Sequence, residues 1–363
     1  MRTTARKTEK KMRKLFAAGI ALLAAVVLMF SLAGCGGGVT VNYSAVEWKG
    51  DGAKIYDGET LVGETVTNAY LLRLAGGEHT ITLKRGDKQF ASFSYTVPTL
   101  TEKVYKSAAE LETEHGGEIY FNEAEHLVLD FRGSSVRSDA FSAPVHLASN
   151  VKKVSVLADS RFTLTCSFII QQRADDITFE FERIVLFGLS TEPNAIGYAD
   201  GATPQGKLIL SFFGVGNSVS SGFAAKNGRS GSDKGWIGTG GNGENGENGG
   251  CAVKGGEIVI LSETDVAFNG TNGGNGGNGG DATVLAKAGN GGNGGNGGAA
   301  IEGTSVTLFM VEGVFTATAG TGGKAGSAGG RALGGAGSNG KAGTTPAGVT
   351  AETKDALRGS FNE

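Results

Sequence analysis

Glycine recurs at every third position in three separate runs between residues 228 and 343, and each run doubles back on itself. In the second run, glycines lead up to a non-repetitive tip, DATVLAKA, and away from it again: Gly270, Gly273, Gly276 and Gly279, then Gly289, Gly292, Gly295 and Gly298. Of the 63 glycines in the chain, 39 lie in this region, so a compositionally ordinary first half precedes a biased second half. The spacing predicts three hairpin arms, over residues 227–250, 269–298 and 319–343.

A period of three is that of a polyproline II helix, which rises about 3.1 Å per residue. Glycine at every third position leaves one edge of such a helix without side chains, so that neighbouring backbones can touch and exchange hydrogen bonds. The chain has only five prolines, which argues against a collagen triple helix. Each arm is therefore predicted to be a hairpin of two polyproline II helices, and three arms would stack into a bundle of about six helices. Disordered linkers are the alternative, because Gly/Asn tracts bury little apolar surface.

This pattern resembles the glycine-rich polyproline II bundles of snow-flea antifreeze protein and of phage tail-tip adhesins. In the adhesins, variable loops at the end of the bundle recognise the receptor, so the resemblance implies that the arm tips bind a ligand. The candidate ligand-binding residues are Lys234 and Trp236 in the first tip, Lys287 in the second and Arg331 in the third. The flat face of Trp236 suits contact with a sugar or an aromatic group, or else the ring packs against a neighbouring arm.

Apolar strand segments recur before and between the arms, near residues 127, 154, 177, 208, 258 and 306. Once the glycine runs are subtracted, about 18 to 21 residues separate successive arms, comparable with one coil of a solenoid. The sequence therefore predicts a parallel β-helix over residues 118–363, with the arms leaving one corner of successive coils.

The segment before the β-helix has two predicted parts. Residues 39–98 alternate as short strands broken by turns, which predicts a small antiparallel β-sandwich. Within it, LAGGEHTITLKRGDK at residues 74–88 resembles the PEGA-type surface modules, although the proline usual in their turn is absent. Residues 101–117 are predicted to be a helix that covers the first coil, with a capping box at Ser107 and Glu110 and a stop at Gly116. The fold class is all-β.

Residues 1–34 have the pattern of an export signal, in which a basic stretch precedes the apolar run LFAAGIALLAAVVLMFSLA. The sequence LAGC ending at Cys35 resembles the lipobox of bacterial lipoproteins, which implies cleavage before this cysteine and acylation of it. Gly36 to Gly38 would then be a flexible tether. The alternative is an uncleaved transmembrane helix. Seven basic residues and one acidic residue precede Cys35, so the remainder of the chain carries about −9 instead of −3, which excludes a general nucleic-acid footprint.

No motif in the sequence indicates a metal, a cofactor or a catalytic group. The stretch from Gly276 to Asp281 begins like a calcium-binding nonapeptide, but Thr283 stands at its next apolar position. The stretch from Gly201 to Lys207 is close to a P-loop, but Leu208 replaces the Ser or Thr that magnesium requires.

The remaining polar residues also favour structural roles. Asp175 and Asp176 are predicted to lie in a solvated turn, and three histidines are predicted to flank unrelated turns: His115, His126 and His146. Cys166 and Cys251 lack metal-binding spacing, which leaves two buried thiols or a disulfide.

Together these features predict a lipoprotein of the bacterial cell envelope, anchored to the membrane through Cys35 and facing away from the cytoplasm. Its predicted role is that of an adhesin or glycan-binding protein acting through the arm tips, with an extracellular glycan or surface protein as its partner. The alternatives are a polysaccharide lyase or hydrolase that uses the β-helix groove, and a structural surface spacer that binds nothing.

Overall fold

The computed structural model describes residues 43–49, 52–66, 69–234, 238–283, 286–330, 337–344, 352–353 and 357–360. These residues form two compact units. One unit combines the described residues up to Leu100 with those from Thr353 onward, and the other extends from Thr101 to Glu352. The chain is almost entirely β-structure, with antiparallel sheets in the first unit and large parallel sheets in the second, as the sequence predicts.

The first unit begins with six strands: β1 (Tyr43–Lys49), β2 (Ala53–Asp57), β3 (Thr60–Thr65), β4 (Ala69–Arg73), β5 (Gly77–Arg85) and β6 (Lys88–Val97). Four of them form an antiparallel sheet in the order β3-β2-β5-β6, and β1 pairs with β4 in another. Alternate residues of these strands face a common core that includes Ile55, Leu72, Ile81, Leu83 and Val97. This is the predicted small antiparallel β-sandwich.

The second unit begins with a strand where the sequence predicts a helix. Glu102–Tyr105 is strand β7, and only Ala108–His115 is helical (α1). The predicted cap is present, because the Ser107 hydroxyl accepts a hydrogen bond from the Glu110 N–H and Gly116 ends the helix at φ 70°. The helix is shorter than predicted because the alternating residues before Ser107 pair with a neighbouring strand, a contact that local propensity does not reveal.

The rest of this unit is a parallel β-helix. Its strands are β8 (Ile119–Phe121), β9 (His126–Asp130), β10 (Ser138–Ala140), β11 (Val145–Leu147), β12 (Lys153–Thr165), β13 (Phe168–Ile170), β14 (Ile177–Phe187), β15 (Asn194–Tyr198), β16 (Leu208–Phe213), β17 (Asn217–Ser220), β18 (Cys251–Lys254), β19 (Glu257–Ser262), β20 (Val266–Asn269), β21 (Ile301–Glu302), β22 (Ser305–Met310), β23 (Phe315–Thr318) and β24 (Glu352–Thr353).

The strands form three columns. The first is β7-β9-β12-β14-β16-β19-β22-β24, and the third is β8-β11-β13-β15-β18-β21. The second contains β10, β17, β20, β23 and the second halves of β12 and β14, which bend from one column into the next. Phenylalanine rings pack against one another through the interior from coil to coil. Phe181 and Phe212 are stacked with centroids 5.4 Å apart, and Phe212 and Phe268 meet edge to face at 5.7 Å.

The final strand, β25 (Leu357–Ser360), belongs to the first unit, although the sequence assigns residues up to 363 to the β-helix. It pairs in parallel with β1, with Val46 opposite Leu357. A return of this kind depends on an edge strand more than 300 residues away, which no local pattern shows.

The three arms leave the β-helix at one corner, between the second and third columns. The first lies between β17 and β18, the second between β20 and β21, and the third follows β23. Within each arm the outgoing and returning halves are antiparallel; for example, the Gly292 N–H donates to the Gly277 carbonyl at 2.7 Å and the Gly295 N–H to the Gly274 carbonyl at 2.7 Å. The bonds recur every three residues, as predicted for polyproline II helices.

Successive arms stack in parallel on one another. The N–H groups of Gly243 and Gly246 in the first arm donate to the carbonyls of Asn290 and Asn293 in the second, at 2.8 and 2.9 Å. The N–H of Gly276 in the second arm donates to the Lys324 carbonyl of the third at 2.8 Å. The arms are therefore one hydrogen-bonded bundle of two layers with three helices each.

The number of glycines per triplet records how many neighbours each helix has. The second arm carries two glycines in most triplets because it lies between the other two arms; a Cβ at Gly276 would run into its own returning half, and one at Gly277 into the first arm. The first and third arms have a neighbouring arm on one side only, and most of their triplets keep a single glycine.

We predict that Gly277→Ala disrupts the bundle, because its Cβ would collide with the backbone carbonyl of Arg229. Such overpacking costs about 1–3 kcal/mol. Hydrogen exchange of the arm amides should show loss of protection in all three arms while the β-helix core stays protected. The matched control is Ser230→Ala, an exposed position in the first arm, and equal protection in both variants would contradict the packing described above.

Candidate functional site

The tips of the first two arms meet side by side. Lys234 and Ala282 form an isolated parallel bridge, and Thr239 and Lys287 form another. The Lys234 N–H donates to the Asp281 carbonyl at 3.0 Å, and the Lys287 N–H donates to the Gly238 carbonyl at 3.1 Å. Both lysine side chains are exposed, and neither forms an ion pair with any residue in the described part of the chain. The structure thus places two of the residues that the sequence predicts to bind a ligand in the bridges between the first two tips.

The backbone beneath these tips is rigidly held. Ala282, Ala286 and Ala288 form a small buried apolar cluster at the end of the second arm. Asp233 accepts a hydrogen bond from the Asp281 N–H at 2.8 Å, and Asp281 accepts one from the Gly330 N–H at 2.6 Å. One aspartate in each of the first two arms therefore ties its tip to the next arm by a hydrogen bond from a backbone N–H.

Three of the predicted functional residues fall outside the described residues. These are Trp236 in the first tip, Arg331 in the third tip and the lipobox cysteine Cys35. Their roles stay predictions from the sequence.

A second polar group lies on the outward face of the first column, near the start of the β-helix. Glu102 in β7 is 2.8 Å from His126 Nδ1, and His126 Nε2 is 2.8 Å from the Ser155 hydroxyl in β12. His126 is the first residue of β9 and directly follows the connection at residues 122–125, so it flanks a turn as the sequence predicts. Alignment of three neighbouring strands brings these residues together, and their spacing of 24 and 29 positions carries no motif.

The Glu102–His126–Ser155 arrangement has the order of a catalytic triad but not its accessibility. Ser155 is 1% exposed, and its hydroxyl also donates to Glu180 at 2.8 Å. Lys153 lies 2.9 Å from Glu180, and both side chains are about 5% exposed. Burial lowers the pKa of His126 to about 4, and the Lys153 ammonium adds to this effect. A substrate cannot reach the hydroxyl in this conformation, so the group acts as a polar network that joins four strands, with Glu102 at its exposed edge and the other members buried.

Other residues that the sequence analysis singled out make structural contacts or are buried. Asp176 accepts a hydrogen bond from the Lys207 N–H at 2.7 Å, and so it ties one turn to the next. Cys166 and Cys251 are both buried and unpaired. Across the described stretches, no group of three His, Cys, Asp or Glu residues could hold a metal ion. No helix in these same stretches is long and apolar enough to cross a membrane.

No family model matches this chain, and no curated protein or solved structure shows significant similarity to it.

Asp130, the last residue of β9, provides a test of the charged side-chain contacts at the start of the β-helix. Its carboxylate lies 2.7 Å from Arg132 Nε and 2.6 Å from Lys106 Nζ. The Arg132 hydrogen bonds hold the pKa of Asp130 well below its usual range, and Lys106 contributes in the same direction. A depressed pKa stabilises the fold above the unfolded value of about 3.9, and the stabilisation disappears as the pH falls towards the folded value.

We therefore expect Asp130→Asn to lower the free energy of unfolding by about 1–2 kcal/mol at pH 7. The difference from the parent protein should shrink below about pH 4, where the carboxylate of the unfolded chain is itself protonated. Chemical denaturation at pH 7 and pH 3 measures both values. Asp200→Asn, an exposed position in the same β-helix, is the control, and a difference that does not change with pH would contradict the assignment.

Proposed function

We propose that this protein is a lipid-anchored protein of the bacterial cell surface that binds an extracellular glycan or surface protein through the tips of its three arms. The observation that carries the proposal is the bundle itself. Its arms are joined by backbone hydrogen bonds every three residues, and the first two tips meet side by side with Lys234 and Lys287 exposed. A bundle of this kind presents its ends without the ordering cost that flexible linkers would add on binding.

The chemistry of the tips supports a polar or anionic ligand. Lys234 and Lys287 supply ammonium donors, and Arg331 in the third tip would supply a guanidinium, which pairs with carboxylate or phosphate groups. Trp236 would supply a flat apolar face for a sugar ring. The interior of the bundle leaves no space for a ligand along its glycines, because these glycines are packed against neighbouring backbones.

The anchoring half of the proposal rests on Cys35. We expect the parent protein to carry acyl chains and to partition with membranes, whereas Cys35→Ser should be released or left unprocessed with the signal attached. Mass spectrometry of the N-terminal peptide and membrane fractionation test this. Two or more acyl chains are needed for stable anchoring, because one chain holds only marginally. Cys251→Ser, a substitution at a buried cysteine of the β-helix, is the control. An N-terminal peptide of the parent protein without acyl groups on Cys35, or Cys35→Ser that is cleaved and still associates with membranes, would contradict lipid anchoring through this residue.

The binding half rests on the tips. The combined substitution of Lys234, Trp236, Lys287 and Arg331 by alanine should weaken retention on immobilised surface glycans at least about tenfold, equivalent to about 1.4 kcal/mol. The control replaces Lys226 and Arg229, two basic residues on the side of the first arm, by alanine. Unchanged retention of the tip variant would contradict binding through the tips, and absence of retention of the parent protein would favour a surface spacer.

Incubation of the protein with the same surface glycans tests an enzymatic role. A lyase or hydrolase would shorten the polysaccharide, and Ser155→Ala or His126→Ala would abolish that shortening. We expect retention without shortened products, because the Ser155 hydroxyl is buried and shared with Glu180.

A further inference from the structure

The returning halves of the three arms form one layer of the bundle, and asparagine side chains cover the outer side of that layer. In the first two arms these halves read NGENGEN and NGGNGGN, with asparagine at every third position. We call these six residues the asparagine face. All of them are exposed: Asn242, Asn245, Asn248, Asn290, Asn293 and Asn296.

The asparagines lie on one side of the bundle because the other two positions of each triplet face neighbouring helices. In the second arm, a Cβ at Gly292 would run into the Glu244 carbonyl of the first arm. A Cβ at Gly291 would run into the Gly326 carbonyl, which belongs to the outgoing half of the third arm. A polyproline II helix has three residues per turn, so the asparagine at the remaining position points away from the bundle.

Hydrogen bonds between the arms fix each of these carboxamides in a row that crosses the layer. In the middle row, Asn245 Oδ1 accepts from the Asn293 N–H and Asn293 Oδ1 from the Lys341 N–H, both at 2.8 Å. The rows on either side, which end at Ser338 and Thr344, repeat these bonds at 2.8 or 2.9 Å. The hydroxyls of Ser338 and Thr344 add a second bond to the carboxamides of the second arm, at 3.0 and 2.9 Å. All six carboxamides are therefore held in position before any ligand binds.

These bonds use only the oxygen atom of each carboxamide. A backbone N–H is a donor, so the side-chain atom that it contacts must be the acceptor Oδ1, and each Nδ2 keeps its two hydrogens. None of the six Nδ2 atoms has an acceptor within the part of the chain that the structure describes. The asparagine face therefore presents six fixed amide donors, spaced about 9.3 Å apart along each arm at the polyproline II rise.

The chemistry of the three rows favours a neutral partner that is rich in oxygen atoms. Lys341 is the one charged residue in these rows. The carboxylates of Glu244 and Glu247 accept hydrogen bonds from the Arg229 and Lys226 N–H groups, which places them along the adjacent edge of the first arm, where they would repel a polyanion. The rows contain no apolar or aromatic side chain, whereas protein interfaces depend on such anchors. A neutral polysaccharide, with hydroxyl and ring oxygens along its whole length, fits this array of donors.

We propose that the asparagine face binds a neutral polysaccharide chain that lies along the arms. The Nδ2 groups would donate to hydroxyl and ring oxygens of successive sugars. From Asn242 to Asn248 the face is about 19 Å long at the polyproline II rise, so an extended polymer can contact several asparagines at once. One hydrogen bond alone contributes little because water competes for the same groups, and binding therefore depends on several donors that are already in position. This surface is separate from the arm tips.

Substitution of asparagine by aspartate separates the structural role of the carboxamide from the proposed binding role. An aspartate still accepts the backbone N–H of the next arm, as Asp233 and Asp281 do in the outgoing layer at 2.8 and 2.6 Å. It has no Nδ2 donor. The substitution therefore keeps the bonds between the arms and removes only the group that would contact the polysaccharide.

The test measures retention of the full-length protein on immobilised xylan, mannan and dextran, and we expect retention on at least one of them. Asn245→Asp combined with Asn293→Asp should weaken that retention about tenfold or more. The control, Asn227→Asp with Asn275→Asp, makes the same change of charge at the equivalent positions of the outgoing layer. It should change retention less than about twofold.

A measurement on the unsubstituted protein does not depend on how the variants fold. Soluble oligosaccharides of the retained polymer should shift the side-chain amide NMR signals of the asparagine face in protein labelled with 15N-asparagine. The signals of Asn227 and Asn275 should not move. Shifts confined to the outgoing layer, or no shifts at all, would contradict the proposal.

Three retention results would also overturn it. The first is retention of the parent protein on none of the three polymers, and the second is unchanged retention of the Asn245/Asn293 variant. The third is an equal loss in both double variants, which would indicate a general effect of added negative charge. The variant with alanine at the four tip positions should still be retained on the neutral polymer, and loss of retention in that variant alone would assign glycan binding to the tips only.

Discussion

Parallel, in-register pairing of successive coils is the constraint on which the rest of this protein depends. Leu208 pairs with Ile258 and Ile258 with Val306, while Asn217 pairs with Val266 and Val266 with Phe315. Because every coil repeats the path of the one before, each arm leaves the β-helix directly above its predecessor. The same register aligns the glycines, the asparagine ladders and the tips of the three arms, and hydrogen bonds between the arms then hold them together.

The bundle stabilises itself by backbone contacts instead of an apolar core. Glycine permits the close approach, and asparagine satisfies N–H groups that a lone polyproline II helix would leave to water. Because most positions of the bundle contact a neighbouring helix, only the few positions that face no neighbour are available to bind a ligand. Those positions include the tips, with Lys234 and Lys287. The proposed binding role of the tips follows from this confinement.

Much of the architecture was predictable because it follows from periodic patterns of glycine and of apolar residues in the sequence. The triplet glycines predicted the arms, and the recurring apolar segments predicted the β-helix and the corner from which the arms leave. Most triplets of the second arm hold two glycines, whereas most triplets of the other arms hold one. This difference also identifies the second arm as the middle arm, which the period of three alone does not show. Strand β7 and the contacts of His126 were not predictable, because they depend on pairing between residues at least 24 positions apart.

The sequence by itself determined the period of the glycine arms and of the recurring strands, and therefore the fold class, the number of arms and the location of their tips. Only the tertiary structure decided which groups meet. It placed Lys234 beside Ala282, enclosed Ser155 between His126 and Glu180, and returned the last strand to β1. The physical reason is that periodicity specifies local conformation, whereas a contact between distant residues depends on the register in which whole strands pair.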